Sequence, residues 1–123
     1  MQEDVADFHR ATNTPVEHSP TQVRADRVKL RWSLIAEEAE EIRRALTSDH
    51  LEGIADGIAD LVYVTLGLAV ECGIDIAPVW DLVHAANMQK VGGPVREDGK
   101  ILKPEGWQPP DIAGEVMRQW KKR

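Results

Sequence analysis

The sequence predicts an all-α fold, a bundle of four or five helices, on three observations. Apolar residues recur at helical spacing in successive segments, and helix-start and helix-stop residues punctuate those segments. No run shows the two-residue alternation of a half-buried strand. A chain of 123 residues suits one domain, 1–123, around one hydrophobic core.

The first helix is expected over Glu3 to Thr12, where Val5, Phe8 and Ala11 recur on one side. The stretch NTPVEHSPT that follows is rich in Pro, Asn, Ser and Thr and reads as loop. Ser19-Pro20 supplies an N-cap and a first-position proline. The second helix is therefore predicted to run from there to about Leu46, burying Val23, Val28, Leu30, Leu34, Ile35, Ile42 and Leu46.

Asp49 with Glu52 three residues on has the form of a capping box. The third helix is expected to run from there to about Cys72, with Gly73 as its stop. Between Leu61 and Val70 it is apolar nearly all round, which makes it the most buried helix. Asp75 or the following turn caps a fourth helix with Pro78 in its first turn and Val79, Leu82, Val83, Ala86 and Val91 as its packing face. Beyond Gly92-Gly93 the chain is dense in Gly, Pro and charge, so an ordered loop or short hairpin is expected. Glu97-Asp98-Gly99-Lys100 forms its turn between Val95 and Ile101. Asp111 caps a last short helix ending in the basic tail Trp120-Lys121-Lys122-Arg123, whose charge suits a helix C-terminus.

The net charge of −6 excludes a large nucleic-acid-binding face. A small phosphorylated substrate stays compatible, because a bound divalent cation inverts the local field. Cys72 is the single cysteine, which rules out an internal disulfide, suits a reducing cytoplasm and reads as a small core residue. The acidic N-terminus lacks the apolar core of a signal peptide, and the apolar run from Ile58 to Val70 carries Asp60 and is short for a bilayer. A cytoplasmic protein without membrane contact is the expectation. So apolar a third helix needs more cover than a short chain provides. A homodimer or dimer of dimers is expected to complete the bundle.

The chemistry lies in the acids. Glu37 and Glu41 are one turn apart on the second helix, and Glu38 stands about 100° round from Glu37. On this helix alone a solvated acidic face is an equal reading. Asp60, however, falls in the most hydrophobic element, where an unpaired carboxylate is costly, and Asp56 is one turn earlier. Three glutamates and two aspartates with no basic run nearby suit a hard divalent cation, magnesium or manganese. Gly53 and Gly57, also one turn apart, suit close helix packing or close approach of a ligand.

These residues resemble the MazG-like all-alpha NTP pyrophosphohydrolase superfamily, whose helices carry EExxE and ExxD. Glu37, Glu38 and Glu41 match the first motif, and Asp60 matches the last position of the second. Gly57 stands where the family has Glu, and Asp56 looks like its substitute. The segments Phe8 to Thr12 and Val83 to Ile112 are similar to a dimeric, dUTPase-related branch. The resemblance implies hydrolysis of a nucleoside triphosphate between the α and β phosphates, with a deoxypyrimidine or non-standard nucleotide as substrate. It also implies metal held by Glu37, Glu38, Glu41 and Asp60, and a pyrimidine contact at Asn87.

Glu38 is the favoured proton acceptor, from its off-face position. Lys90, Arg96 and Lys103 are candidates for the outer phosphates, and Trp107 for stacking on a base. The alternatives are solvated lysines and a tryptophan that pins its loop. His9 and His84 read first as hydrogen-bonded structure. Two other functions compete: a phosphoribosyl-ATP pyrophosphohydrolase, and a catalytically silent helical binding or regulatory dimer. A diiron bundle is excluded, because neither acidic helix offers Glu-x-x-His.

Overall fold

The computed structural model describes residues 1–122. It is all-α, with helices α1 (Gln2–Ala11), α2 (Val28–Thr47), α3 (Leu51–Glu71), α4 (Ile76–Met88) and α5 (Ile112–Lys121). Among the described residues the only extended pairing is an isolated antiparallel bridge, Val95 to Ile101. The chain divides into two compact units, Met1–Ile74 and Asp75–Lys122.

In the first unit α3 packs against both α1 and α2. α1 carries Glu3 and Asp4 in its first turn and His9 and Arg10 in its last, each complementing the helix dipole. It buries Val5, Ala6 and His9, whereas the expected face was Val5, Phe8 and Ala11. Phe8 lies outside, edge-on to Tyr63 with ring centroids 5.9 Å apart. Val5, Ala6 and Val70 form the core cluster, with Val16 and Leu66 against it.

α2 starts at Val28, eight residues later than Pro20. The backbone before it has other partners: Glu17 N–H donates to Val70 O and Thr21 N–H to Cys72 O. These donors satisfy carbonyls left over at the end of α3, so the segment runs extended along that end. A residue with a side chain at Gly73 (φ +64) would overlap Ser19 O, so the left-handed turn and the close approach of the 17–21 segment both require glycine.

α2 and α3 form an antiparallel hairpin joined by Ser48, Asp49 and His50. The expected capping box is absent. Asp49 takes a left-handed conformation (φ +50), His50 is the N-cap, and no side chain caps it. The seam of α3 reads Gly53, Gly57, Asp60, Val64, Gly67 and Glu71, alternating four and three residues apart. Facing it are Ala45, Ile42, Glu38 and Arg31 on α2 and its N-cap residue Arg27. A Cβ at Gly57 would stand 2.7 Å from Ile42 Cγ1, so the glycine serves close packing.

The buried side of α2 is accordingly Arg31 and Ala45, while Val28, Leu30 and Leu46 are exposed. Ion pairing decides this face: Glu71, 3% exposed, takes Arg27 at 2.8 and 3.0 Å and Arg31 at 3.2 Å. Arg31 Nη2 also donates to Val64 O. Gly67 leaves room for that guanidinium and for the His9 ring. His9 is structural in its contacts, with Nδ1 2.9 Å from Pro15 O.

α3, at 21 residues and mean hydropathy 1.6, is long and apolar enough by length and composition to cross a membrane. Its burial is less complete than its composition predicts: Leu51, Ile58, Val62 and Tyr63 are exposed. Cys72 is half-buried, and burial raises its thiol pKa.

In the second unit Asp75 accepts from Ala77 N–H and caps α4, and Asp111 accepts from Gly114 N–H and caps α5, both as expected. Ala86 is the buried residue of α4, whereas Val83 and Val91 of the expected packing face are exposed. The hairpin turn is present: Arg96 N–H donates to Lys100 O and Gly99 N–H to Arg96 O. Of the basic tail, Arg123 lies outside the described residues.

Candidate metal centre

The α2–α3 seam brings acids together. One carboxylate oxygen from each of Glu38, Glu41 and Asp60 lies within 4.8 Å of the others. Glu38 and Asp60 are half-buried because their helices meet there, and Glu41 is exposed. Glu38 Oε2 is buried and has no hydrogen-bond partner.

The electrostatics follow from that crowding. Desolvation, then the charges of Glu41 and Asp60, push the Glu38 carboxyl above its usual range. Asp60 is raised by desolvation, then by Asp56 and Glu41. Two raised carboxyls, Glu38 and Asp60, beside a third acid, with an orphaned buried oxygen on Glu38, make a place suited to a cation. An all-oxygen donor set of this kind fits magnesium or manganese.

Glu37 and Asp56 lie outside the three-residue group but act on it, Glu37 on Glu38 and Asp56 on Asp60. Asp56 lines a neighbouring groove together with Glu41. Glu38 is thus inside the acidic group with Glu41, while Glu37, which helical spacing puts on the face of Glu41, lies outside it. The reason is that α2 turns Arg31, Glu38 and Ala45, seven residues apart, toward α3. Arg31 and Glu71 had no place in the sequence reading. The signal was present, since Glu71 continues the four-three spacing from Asp60 and Arg31 lies seven before Glu38.

The remaining candidates belong to the second unit. Lys90 Nζ donates to Asn87 Oδ1 at 3.0 Å. Lys90 and Lys103 each hold their ammonium about 5 Å from the Trp107 ring centroid, at 5.1 and 5.0 Å. The Trp107 indole N–H donates to Ala86 O at 2.7 Å and so ties the loop to α4. Asn87, Lys90, Lys103 and Trp107 therefore form one cluster. Arg96 pairs with Asp98 at 2.6 and 2.9 Å across the hairpin turn, and His84 is exposed.

A family model described as phosphoribosyl-ATP pyrophosphohydrolase matches residues 5–87. An uncharacterized protein of Acanthamoeba polyphaga mimivirus is 33% identical over 69 residues, which are 56% of this chain and 28% of that protein. The chain thus spans little more than a quarter of the relative it matches.

Proposed function

The chain belongs to the phosphoribosyl-ATP pyrophosphohydrolase family, within the MazG-like all-alpha pyrophosphohydrolases, and from that premise we propose a magnesium-dependent nucleoside triphosphate pyrophosphohydrolase. It converts a nucleoside triphosphate and water to the monophosphate and pyrophosphate, with deoxypyrimidine or non-standard nucleotides as substrates. The observation that carries this is the trio Glu38, Glu41 and Asp60, with an orphaned buried oxygen on Glu38.

In this reading Glu38, Glu41 and Asp60 hold the metal, with Glu37 and Asp56 flanking it. The bound cation supplies charge neutralisation at the phosphate oxygens and Lewis acidity for the attacking water. Water oxygen bonds to the α-phosphorus, the bond to the bridging oxygen breaks, and pyrophosphate leaves with that oxygen. Glu38 accepts the water's proton. Glu41 and Asp60 keep the site anionic, so a free triphosphate without metal is repelled. Asn87, Lys90, Lys103 and Trp107 offer amide, ammonium and ring groups suited to a nucleotide, and Arg96 a further guanidinium. The protein works as a cytoplasmic homodimer, or a dimer of dimers.

One observation favours a second substrate, phosphoribosyl-ATP. The family match carries that name and ends at Asn87, before most of the segment on which the nucleotide-pool reading rests. Both substrates are cleaved at the same anhydride. Pyrophosphate release with magnesium, across nucleoside triphosphates and phosphoribosyl-ATP, separates them. We expect release that Glu38→Gln loses while staying folded. A folded wild-type chain that releases none from any of them refutes the reading and leaves a silent binding dimer.

A further inference from the structure

The first unit buries a cation between its helices. Arg31 of α2 is 5% exposed, and the Glu71 it pairs with is 3% exposed. Arg31 reaches two acceptors of α3 at once: Nη1 stands 3.2 Å from Glu71 Oε2, and Nη2 donates to Val64 O. Side chains lean toward a helix's N-terminus and carbonyls point toward its C-terminus, so these two acceptors converge between Val64 and Glu71. Gly67 lies there. A Cβ on it would overlap Arg31 Nη2 and stand 3.1 Å from His9 Nε2, so glycine is what leaves the slot open.

Stability alone does not account for an arginine in that slot. Its Nε is buried without a hydrogen-bond partner, a cost that an apolar side chain avoids. Desolvation pulls its pKa down, and the Glu71 charge works against that. Glu71 also has a closer partner in Arg27, at 2.8 and 3.0 Å. A well-packed apolar residue in place of a buried ion often stabilises a protein equally well. What a guanidinium adds is direction, since its planar fork meets both acceptors in one orientation.

That orientation bears on the acids. α2 is unbroken from Val28 to Thr47. Glu38 follows Arg31 by seven residues, about 20° short of two turns and roughly 10 Å along the axis. Asp60 stands one turn before Val64, on the face that Arg31 meets. A rotation of α2 by about 20° carries a side-chain end through roughly 2 Å, whereas a metal-binding group tolerates a displacement of about 0.5 Å. The contacts nearer the acids, Ile42 at Gly57 and Ala45 at Gly53, set how close the helices come. They are apolar and carry no direction of their own.

We propose that Arg31 is a positioning residue for the metal centre: clamped between Glu71 and the Val64 carbonyl, it holds α2 at the rotation that turns Glu38 toward Asp60. This rests on the reading of Glu38, Glu41 and Asp60 as metal ligands. Arg31 acts on the site only through the helix. Lysine cannot take its place, because one ammonium on a flexible stem does not fix an orientation.

The test is manganese binding to the full chain, followed by calorimetry and by the electron paramagnetic resonance of the ion. Arg31→Met and Arg31→Lys are each expected to weaken binding about tenfold, the loss typical when the support of a metal ligand is removed. Val5→Ala is the control for a protein that is merely less stable. It trims the core beside Val70, roughly 15 Å along α3 from Asp60, and should bind manganese within about twofold of wild type. All are compared below their melting temperatures, with helicity checked by circular dichroism. If Arg31→Met does not fold, Arg31→Lys decides. Wild-type affinity in either folded Arg31 variant, or an equal loss in Val5→Ala, overturns the positioning role. Wild type that binds no manganese overturns it together with the metal centre. If wild type binds manganese but releases no pyrophosphate from any nucleotide, the hydrolase reading fails by itself, and these titrations still decide the role of Arg31.

Discussion

Glu38, Glu41 and Asp60 repel one another when no cation lies among them. Neutralising one of them therefore helps the metal-free protein: Glu38→Gln and Asp60→Asn should each raise its melting temperature by roughly 2–5 °C. Magnesium should stabilise wild type and leave both variants nearly unmoved, which calorimetry with and without metal checks. Glu71 behaves oppositely, because it lies between two guanidiniums, Arg27 and Arg31. Glu71→Gln leaves Arg31, 5% exposed, beside an uncompensated buried site, and should cost about 3–5 kcal/mol in urea unfolding. Glu115 is held down at about 2 by hydrogen bonds from Arg118 and then Gln119. Its folded pKa lies below its unfolded value near ~4.3. Its contribution is therefore full above that value and is lost as pH falls toward about 2. Gln119 also bonds both the N–H and the carbonyl of Asp75. The Gln119 side-chain amide should then shift in an NMR titration over that window, and stay still in Glu115→Gln.

At the scale of elements, small residues set how close α2 and α3 come. Gly57→Ala has to push Ile42 aside, and overpacking of this kind costs about 1–3 kcal/mol. The same shift parts Asp60 from Glu38, so metal affinity should fall together with stability. Equal metal binding in a destabilised Gly57→Ala protein would contradict that coupling. The Glu of the family motif has no room at position 57 for the same reason. The helix ends were only partly legible. Asp75 and Asp111 cap as their sequence suggests, each carboxylate accepting a backbone N–H in the first turn of its helix. Ser19-Pro20 and Asp49 carry the same local signals, and tertiary contacts take precedence: 17–21 satisfies the end of α3, and Asp49 makes the hairpin turn.

For the whole molecule, the first unit leaves large apolar side chains in water. Ile58 is 52% exposed and Trp32 67%, with Leu51, Val62, Tyr63 and Phe8 also exposed. Exposed apolar surface of this extent marks an association site, which supports the proposed homodimer. Sedimentation equilibrium should give twice the chain mass, and Ile58→Lys with Val62→Glu should give a monomer with retained helicity. A wild-type monomer at all concentrations would remove the dimer from the reading.

The sequence by itself determined the helical class, the two acidic helices and the oxygen-rich chemistry, because period, glycine placement and charge are local properties. Asp60 in an apolar helix was enough to require a partner. Only the tertiary structure decided which acids meet. Glu38 joins Glu41 and Asp60 because α2 is turned by the Arg27–Arg31–Glu71 ion pairs and by glycines that admit a neighbouring helix. That rotation depends on contacts between residues tens of positions apart, and no local pattern fixes it.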